Sequence, residues 1–248
     1  MIAIFSPLPL ESDLLRRRLA PCEVRDCAGF DLYLGRLGGT PVGLVHCGVG
    51  KANAAAAATA LFLAHHPALT LVCGCAGAYA GSGLRPGDIA LASEELYGDE
   101  GVLTPDGFLD MEAIGFPLVQ RGASRYFNRF PCDPSLLDHS RNLLQRFAGD
   151  QGRAFACGPF VTVSTCSGTT AAGLELARRT SGICENMEGA AIAQVCARQG
   201  TPFLELRGIS NLVEDRNLAR WELRAGAEIA QEALLALLAA WQLPEVRA

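Results

Sequence analysis

At 248 residues, half of them hydrophobic, the chain has apolar material for one α/β domain or two small ones. Its formal net charge of −5 excludes the basic footprint of a general nucleic-acid binder. Ten scattered cysteines, with Cys47, Cys73, Cys75, Cys157 and Cys196 inside apolar runs and no Cys-x-x-Cys pair, read as reduced, buried thiols rather than a disulfide framework or zinc site.

The amino terminus lacks the basic region and cleavage site of a signal peptide. Residues 2–5 read as a strand, broken by Ser6-Pro7-Leu8-Pro9, and 11–19 as a helix with Leu14, Leu15 and Leu19 on its apolar side. Residues 30–37 and 41–47 flank Gly38-Gly39 as a hairpin, and Lys51–His65 is an Ala-rich helix. The continuous apolar run 69–75 fits a central strand buried on both faces, and 88–96 is a further strand. Helix 134–147, strand 160–164 and helix 169–179 follow. Residues 184–186 read as a polar loop before a helix over 187–199, which Gly200 stops, and 203–207 is a strand running on to Asn211. An amphipathic helix over 218–243 closes the chain; its apolar run 233–241 is shorter than the roughly 20 residues a bilayer requires. The alternation of strands and helices points to one α/β domain with a largely parallel or mixed sheet and helices on both faces. No membrane partner is expected, and the location expected is the cytoplasm.

Residues 97–133 break the pattern, being rich in Gly, Pro and aromatics without a period, and read as an irregular insertion. Phe108, Phe116, Tyr126, Phe127 and Phe130 are mixed there with Arg121, Arg125 and Arg129. Two readings stand: a subunit-interface insertion, or a lid whose aromatics and arginines meet the substrate.

Two glycine turns each follow a strand. Gly48-Val49-Gly50-Lys51 opens a helix, but Asn53 stands where a dinucleotide fingerprint needs its third glycine, and Val45 and Ala52 break a phosphate loop. No cofactor is expected there, and the scattered histidines suggest no metal. Gly74-Cys75-Ala76-Gly77 is the second turn. Glu11 and Glu188 both sit at helix starts, where a carboxylate complements the helix dipole or serves a site at the strand ends. Arg207 reads equally as an ordinary charged strand end.

The sequence Asn186-Met187-Glu188-Gly189-Ala190-Ala191, followed by Arg207-Gly208-Ile209-Ser210-Asn211, resembles the purine nucleosidase and nucleoside phosphorylase superfamily. Its members carry a Met-Glu pair that holds the ribose, and an Asp or Asn after Ile-Ser that handles the base. The resemblance runs to about Trp221, is weakest between Tyr97 and Pro134, and is greatest to the futalosine hydrolases, relatives of methylthioadenosine/S-adenosylhomocysteine nucleosidases. It implies a three-layer α/β sandwich in one domain spanning 1–248. Glu188 would bind the ribose hydroxyls with Met187 packed on the sugar, Glu11 would activate water, and Asn211 would assist the leaving base. Arg207 would orient the acidic pocket, Cys75, Ala76 and Gly77 would lie beside ribose and base, and Thr165, Cys166 and Ser167 would offer backbone contacts to the base. The expected partners are a purine nucleoside and further copies of the chain, as a homodimer or larger assembly whose neighbour completes the pocket.

Departures from the family pattern sharpen the expectation. Phosphorylases carry an Arg where Val72 stands and a basic residue in the loop that here reads Leu8, Pro9, Leu10, Glu11, so hydrolysis is expected rather than phosphorolysis. Adenine-specific nucleosidases carry an Asp at the position of Asn211. An amide cannot transfer a proton but offers a donor and an acceptor that suit a 6-oxopurine. The resemblance thus implies cleavage of futalosine to hypoxanthine and dehypoxanthine futalosine within menaquinone biosynthesis. The alternatives are a methylthioadenosine/S-adenosylhomocysteine or other purine nucleosidase, a phosphorylase, and a non-catalytic nucleoside-binding protein.

Overall fold

The computed structural model describes residues 1–241, so positions 242 and 243 of the expected last helix lie outside the described residues. Strand β1 (Ile2–Ser6) is buried throughout, as a central strand must be. A 3-10 turn, Pro9–Glu11, precedes α1 (Asp13–Leu19), so Glu11 sits before the helix rather than at its first position. Strand β2 (Glu23–Cys27) has no counterpart among the expected elements: four of its five residues are exposed, which erases any alternation. It pairs at the sheet edge with β3 (Phe30–Leu37), which returns through Gly38 and Gly39 to β4 (Thr40–His46). Both glycines have positive φ (53° and 86°), as a two-residue hairpin turn of the primed kind requires.

Helix α2 (Lys51–His65) leads to β5 (Leu69–Ala78) and β6 (Ile89–Tyr97). The 97–133 segment is more regular than its composition suggested. It folds as two hairpins, β7 (Gly101–Thr104) with β8 (Gly107–Asp110) and β9 (Val119–Arg121) with β10 (Ser124–Tyr126), then adds β11 (Arg129–Pro131) to β6. Strands of three or four residues are too short to display a period. Helix α3 (Pro134–Asp150), β12 (Phe155–Thr162), α4 (Thr170–Thr180), β13 (Cys184–Asn186), α5 (Gly189–Gln199), β14 (Phe203–Leu212) and α6 (Leu223–Ala240) complete the chain. Residues 184–186 are therefore a strand instead of a loop, and the last helix begins at 223 after a 3-10 turn, Leu218–Arg220.

The fold is a single α/β domain on a mixed sheet. Strand β1 lies parallel between β4 and β5, and β13 joins β5 to β12, which runs parallel to β6. Strand β14 pairs with both β5 and β6, so that end of the sheet curls back on itself. Successive residues of a strand face opposite sides. Arg207 of β14 meets Glu188 at the start of α5, whereas a Cβ on Gly208 would collide with the Gly226 carbonyl of α6. Helices α5 and α6 thus cover opposite faces, with α2 packed on α5 and α1 and α3 on α6. No helix among the described residues is long and apolar enough to cross a membrane.

Candidate active site

A cavity of about 250 Å³ opens where β5 and β14 run out and α5 begins. Strand ends facing a helix start are where open α/β sheets hold their ligands. Glu11 reaches it from the turn after β1, Cys75, Ala76 and Gly77 from β5, Met187 and Glu188 from the approach to α5, Arg207 and Asn211 from β14, and Cys166 and Ser167 from the loop after β12. Of the residues expected from sequence, only Thr165 stands outside the lining.

One end of the cavity is a buried charge cluster. Arg207 is 1 % exposed and donates from Nε to Glu205 Oε1 (2.6 Å), from Nη1 to the Cys75 carbonyl (3.0 Å) and from Nη2 to Glu188 Oε2 (3.2 Å). Glu188 Oε1 accepts from the Gly50 amide (3.0 Å), and Gly50 has φ 98°. The second glycine of Gly48-Val49-Gly50 therefore allows a left-handed backbone whose N–H fixes this carboxylate. Glu188 does not cap α5 with its own side chain. Asn186 does so, its Oδ1 accepting from the amides of Glu188 (2.9 Å) and Gly189 (2.8 Å), which leaves the Glu188 carboxylate to the cavity.

Glu11 is held as tightly. Its Oε1 accepts from the Cys75 amide (2.6 Å) and its Oε2 from the Leu8 amide (3.1 Å). The turn that carries it is pinned from α6, where Gln231 Oε1 accepts from Leu14 N (2.7 Å) and Leu15 N (3.3 Å) while Nε2 donates to the Leu10 carbonyl (3.4 Å). Ser12 Oγ lies 2.6 Å from His46 Nε2. Gly74 is needed beneath: a Cβ there would stand 2.7 Å from Arg207 Nη1 and 2.8 Å from Glu11 Oε1. Burial pushes the Glu11 carboxyl above its ordinary value, and Arg207 and the two amides oppose that rise.

The other end is more open. Strand β14 bulges at Ser210, so that Ile209 faces Ala76 and Asn211 faces Gly77. Bulges re-aim side chains beside functional sites. Here the bulge turns the Asn211 amide over Gly77, where a Cβ would stand 3.1 Å from Nδ2. Ser210 Oγ donates to Asn211 Oδ1 (2.8 Å), and Asn211 Nδ2 donates to the Leu212 carbonyl (3.0 Å). Across Gly77, Glu185 accepts from the Ser167 amide (2.8 Å) and hydroxyl (2.7 Å) and fixes the loop after β12. Arg216 stands at this end, its guanidinium 4.7 Å from the centre of the Trp221 ring.

Sequence reasoning missed Glu185, Arg216, Trp221 and Gln231. Glu185 lies two residues before the Met-Glu pair, a local sign that marks it, but Gln231 acts across 217 residues and leaves none. Residues 97–133 of the same chain do not line the cavity. Arg129 pairs with Glu94 (2.6 Å), and Arg121 lies over Gly200 at the end of α5. Two of the thiols expected to be buried, Cys75 and Cys157, are partly exposed.

A model of the phosphorylase superfamily matches residues 1–241. Over 82 % of its length the chain is 36 % identical to a futalosine hydrolase of Thermus thermophilus, covering 84 % of that protein. It is 29 % identical to a 5′-methylthioadenosine/S-adenosylhomocysteine nucleosidase of Geobacillus kaustophilus, over 95 % of both chains. Among solved structures, the corresponding nucleosidase of Neisseria meningitidis in complex with methylthio-immucillin-A shares the fold with a TM-score of 0.82, at 23 % identity and over 97 % of this chain and 99 % of that one.

Proposed function

The chain belongs to the phosphorylase superfamily, and from that premise we propose that it hydrolyses the N-glycosidic bond of futalosine, releasing hypoxanthine and dehypoxanthine futalosine in menaquinone biosynthesis. The observation that carries this reading is Asn211, a carboxamide over the bare Gly77 at the open end of the cavity. Its NH2 donates to N7 or O6 of a 6-oxopurine, and its oxygen accepts from a ring N–H. An adenine nucleosidase needs a proton donor to N7, which an amide is not. Relatives named futalosine hydrolase support the same substrate.

In the mechanism, Glu188 accepts hydrogen bonds from the 2′ and 3′ hydroxyls, and its charge stabilises the oxocarbenium-like sugar as the bond breaks. Asn211 stabilises the electrons arriving on the base, which leaves as an anion and takes its proton from solvent, while the proton that Glu11 collects returns to solvent. Glu11 takes the proton of the attacking water. Arg207 has donors committed to Glu205, Glu188 and Cys75, so it supports the carboxylates and is not free to bind phosphate. That favours water over phosphate as the nucleophile. Glu11 also argues against a mere nucleoside binder, which has no use for a water activator. Ten unpaired cysteines support a reducing, cytoplasmic setting.

The test is to incubate the protein with futalosine, inosine and methylthioadenosine in phosphate-free buffer and identify any free base. Hypoxanthine from futalosine is expected. Adenine release in preference to hypoxanthine would return the chain to the methylthioadenosine nucleosidases. Two copies associate, in this reading, through the β7–β8 hairpin, which exposes Val102 (44 %) and Leu103 (83 %). Lys51 ties the hairpin's base to α2 through Asp99 (2.7 Å) and Glu100 (2.6 Å). Light scattering should give a dimer or larger species for wild type and a smaller one for Val102→Asp/Leu103→Asp.

A further inference from the structure

Behind Arg207 lie two carboxyl groups that the proposed chemistry does not use. Glu95 on β6 and Glu205 on β14 are both completely buried. Between Gly158 and Phe160 of β12 the β6 register advances by one extra residue, a bulge that sets the inward aim of Glu95. Glu95 Oε2 lies 2.9 Å from Thr162 Oγ1 and accepts from Asn186 Nδ2 at 3.3 Å. Glu205 Oε1 accepts from Arg207 Nε. Glu95 Oε1 and Glu205 Oε2 are buried without a hydrogen-bond donor among the described residues. The two carboxyls converge over Gly189, where any Cβ would strike both.

Two ionised carboxylates sharing a dry site repel each other, and each would keep an unpaired oxygen away from water. A single proton removes both faults, because one orphan oxygen becomes the donor that the other needs. Arg207 biases which group carries it, since its guanidinium is bonded to Glu205 and favours that carboxyl in the ionised form. We propose that Glu95 is a neutral acid donating to Glu205, and that this pair, seated over Gly189, is a positioning device that keeps Arg207 matched by Glu205 so that Glu188 retains its charge for the sugar. The charge inventory agrees. Around Arg207 stand Glu11, Glu188, Glu205 and Glu95, four carboxyls to one cation, and the nearby Cys73, Cys132 and Cys184 are neutral thiols raised by burial. Burial raises both carboxyls, the neighbouring Glu205 raises Glu95 further, and Arg207 opposes the rise at each.

The role assigned to Glu188 rests on the nucleosidase reading, but the proton does not. Infrared spectra of the resting protein at neutral pH should show the carbonyl stretch of a protonated carboxylic acid that disappears in Glu95→Gln. No such band in wild type, or one that survives Glu95→Gln, would overturn the pair whatever the protein hydrolyses. Absence of base release by wild type would instead strike the nucleosidase reading. In kinetics, Glu95→Leu should lower kcat by about tenfold or more with a smaller change in KM, and Glu95→Gln, which keeps a neutral donor, should restore most of it. Glu205→Gln should lower kcat similarly, because Arg207 then falls to Glu188 alone. A normal kcat in Glu205→Gln would remove the pair from the mechanism.

Discussion

The two ends of the cavity are built differently. At the proposed sugar end Glu11, Glu188 and Arg207 are 7 %, 3 % and 1 % exposed, and their polar atoms are held by backbone amides, a backbone carbonyl, Glu205 or one another. At the proposed base end Asn211 is half-buried and its side chain, among the described residues, bonds only to its neighbours Ser210 and Leu212, while Arg216 is exposed and rests on Trp221. Groups that must meet a transition state gain from being fixed before it forms. Groups that choose among bases need only present the right donor and acceptor. In the proposed mechanism the chemistry is therefore lodged in the core, and the selectivity sits on a short bulge that one substitution can rewrite.

The largest effect should come from rewriting that bulge. Sites built around a particular hydrogen bond reject mismatched analogues by about 10⁴–10⁵. For one 5′ group carrying either base, kcat/KM should favour the 6-oxopurine strongly in wild type, and Asn211→Asp should collapse that preference as its carboxylate repels O6 and N7. An unchanged ratio would show that the base end does not read the base. Glu11→Gln probes the sugar end, where loss of a general base costs about 10²–10⁴ in kcat. Nucleoside binding by calorimetry should survive in that variant, and near-normal turnover by the folded protein would remove Glu11 from the reaction.

Gln231→Leu tests whether the sugar end depends on remote support. Freeing the amides of Leu14 and Leu15 should cost about 1–3 kcal/mol in a denaturant melt. It should also lower kcat while leaving base preference untouched. The smallest effect is one of pH. In the proposed mechanism Glu11 works as the ionised base, and burial raises its pKa above the ordinary 4.5. The acid limb of kcat/KM should therefore fall away above that value as pH drops. Glu11→Gln should lack the limb, and a limb that persists would belong to another group.

Much of the fold is legible in the residues themselves. The apolar run of β5, the Ala-rich α2 and the Gly38-Gly39 hairpin each follow from patterns confined to a few neighbours. What escaped was short or exposed: β2 at the sheet edge, β13 with three residues, and the small hairpins of 97–133. The motifs around Glu188 and Asn211 likewise identified the ends of the cavity, since a carboxylate at a helix start and an amide at a strand end keep their chemistry in any context.

Sequence alone thus determined which functional groups the chain owns: two carboxylates just before helices, an arginine and an asparagine on one strand, and no spare cation for phosphate in the turn after β1. Tertiary structure decided how they are coupled. It set Asn186 rather than Glu188 as the cap of α5, freed Glu188 for the cavity, and bound Glu11 to Cys75 across 64 residues. It also buried Glu95 against Glu205 over a glycine that no local pattern explains. The physical reason is that charge states and carboxylate geometry depend on desolvation and on distances of a few ångströms between segments far apart in the chain. Periodicity reports which face of an element is buried, and it carries no information about which polar side chain will meet it there.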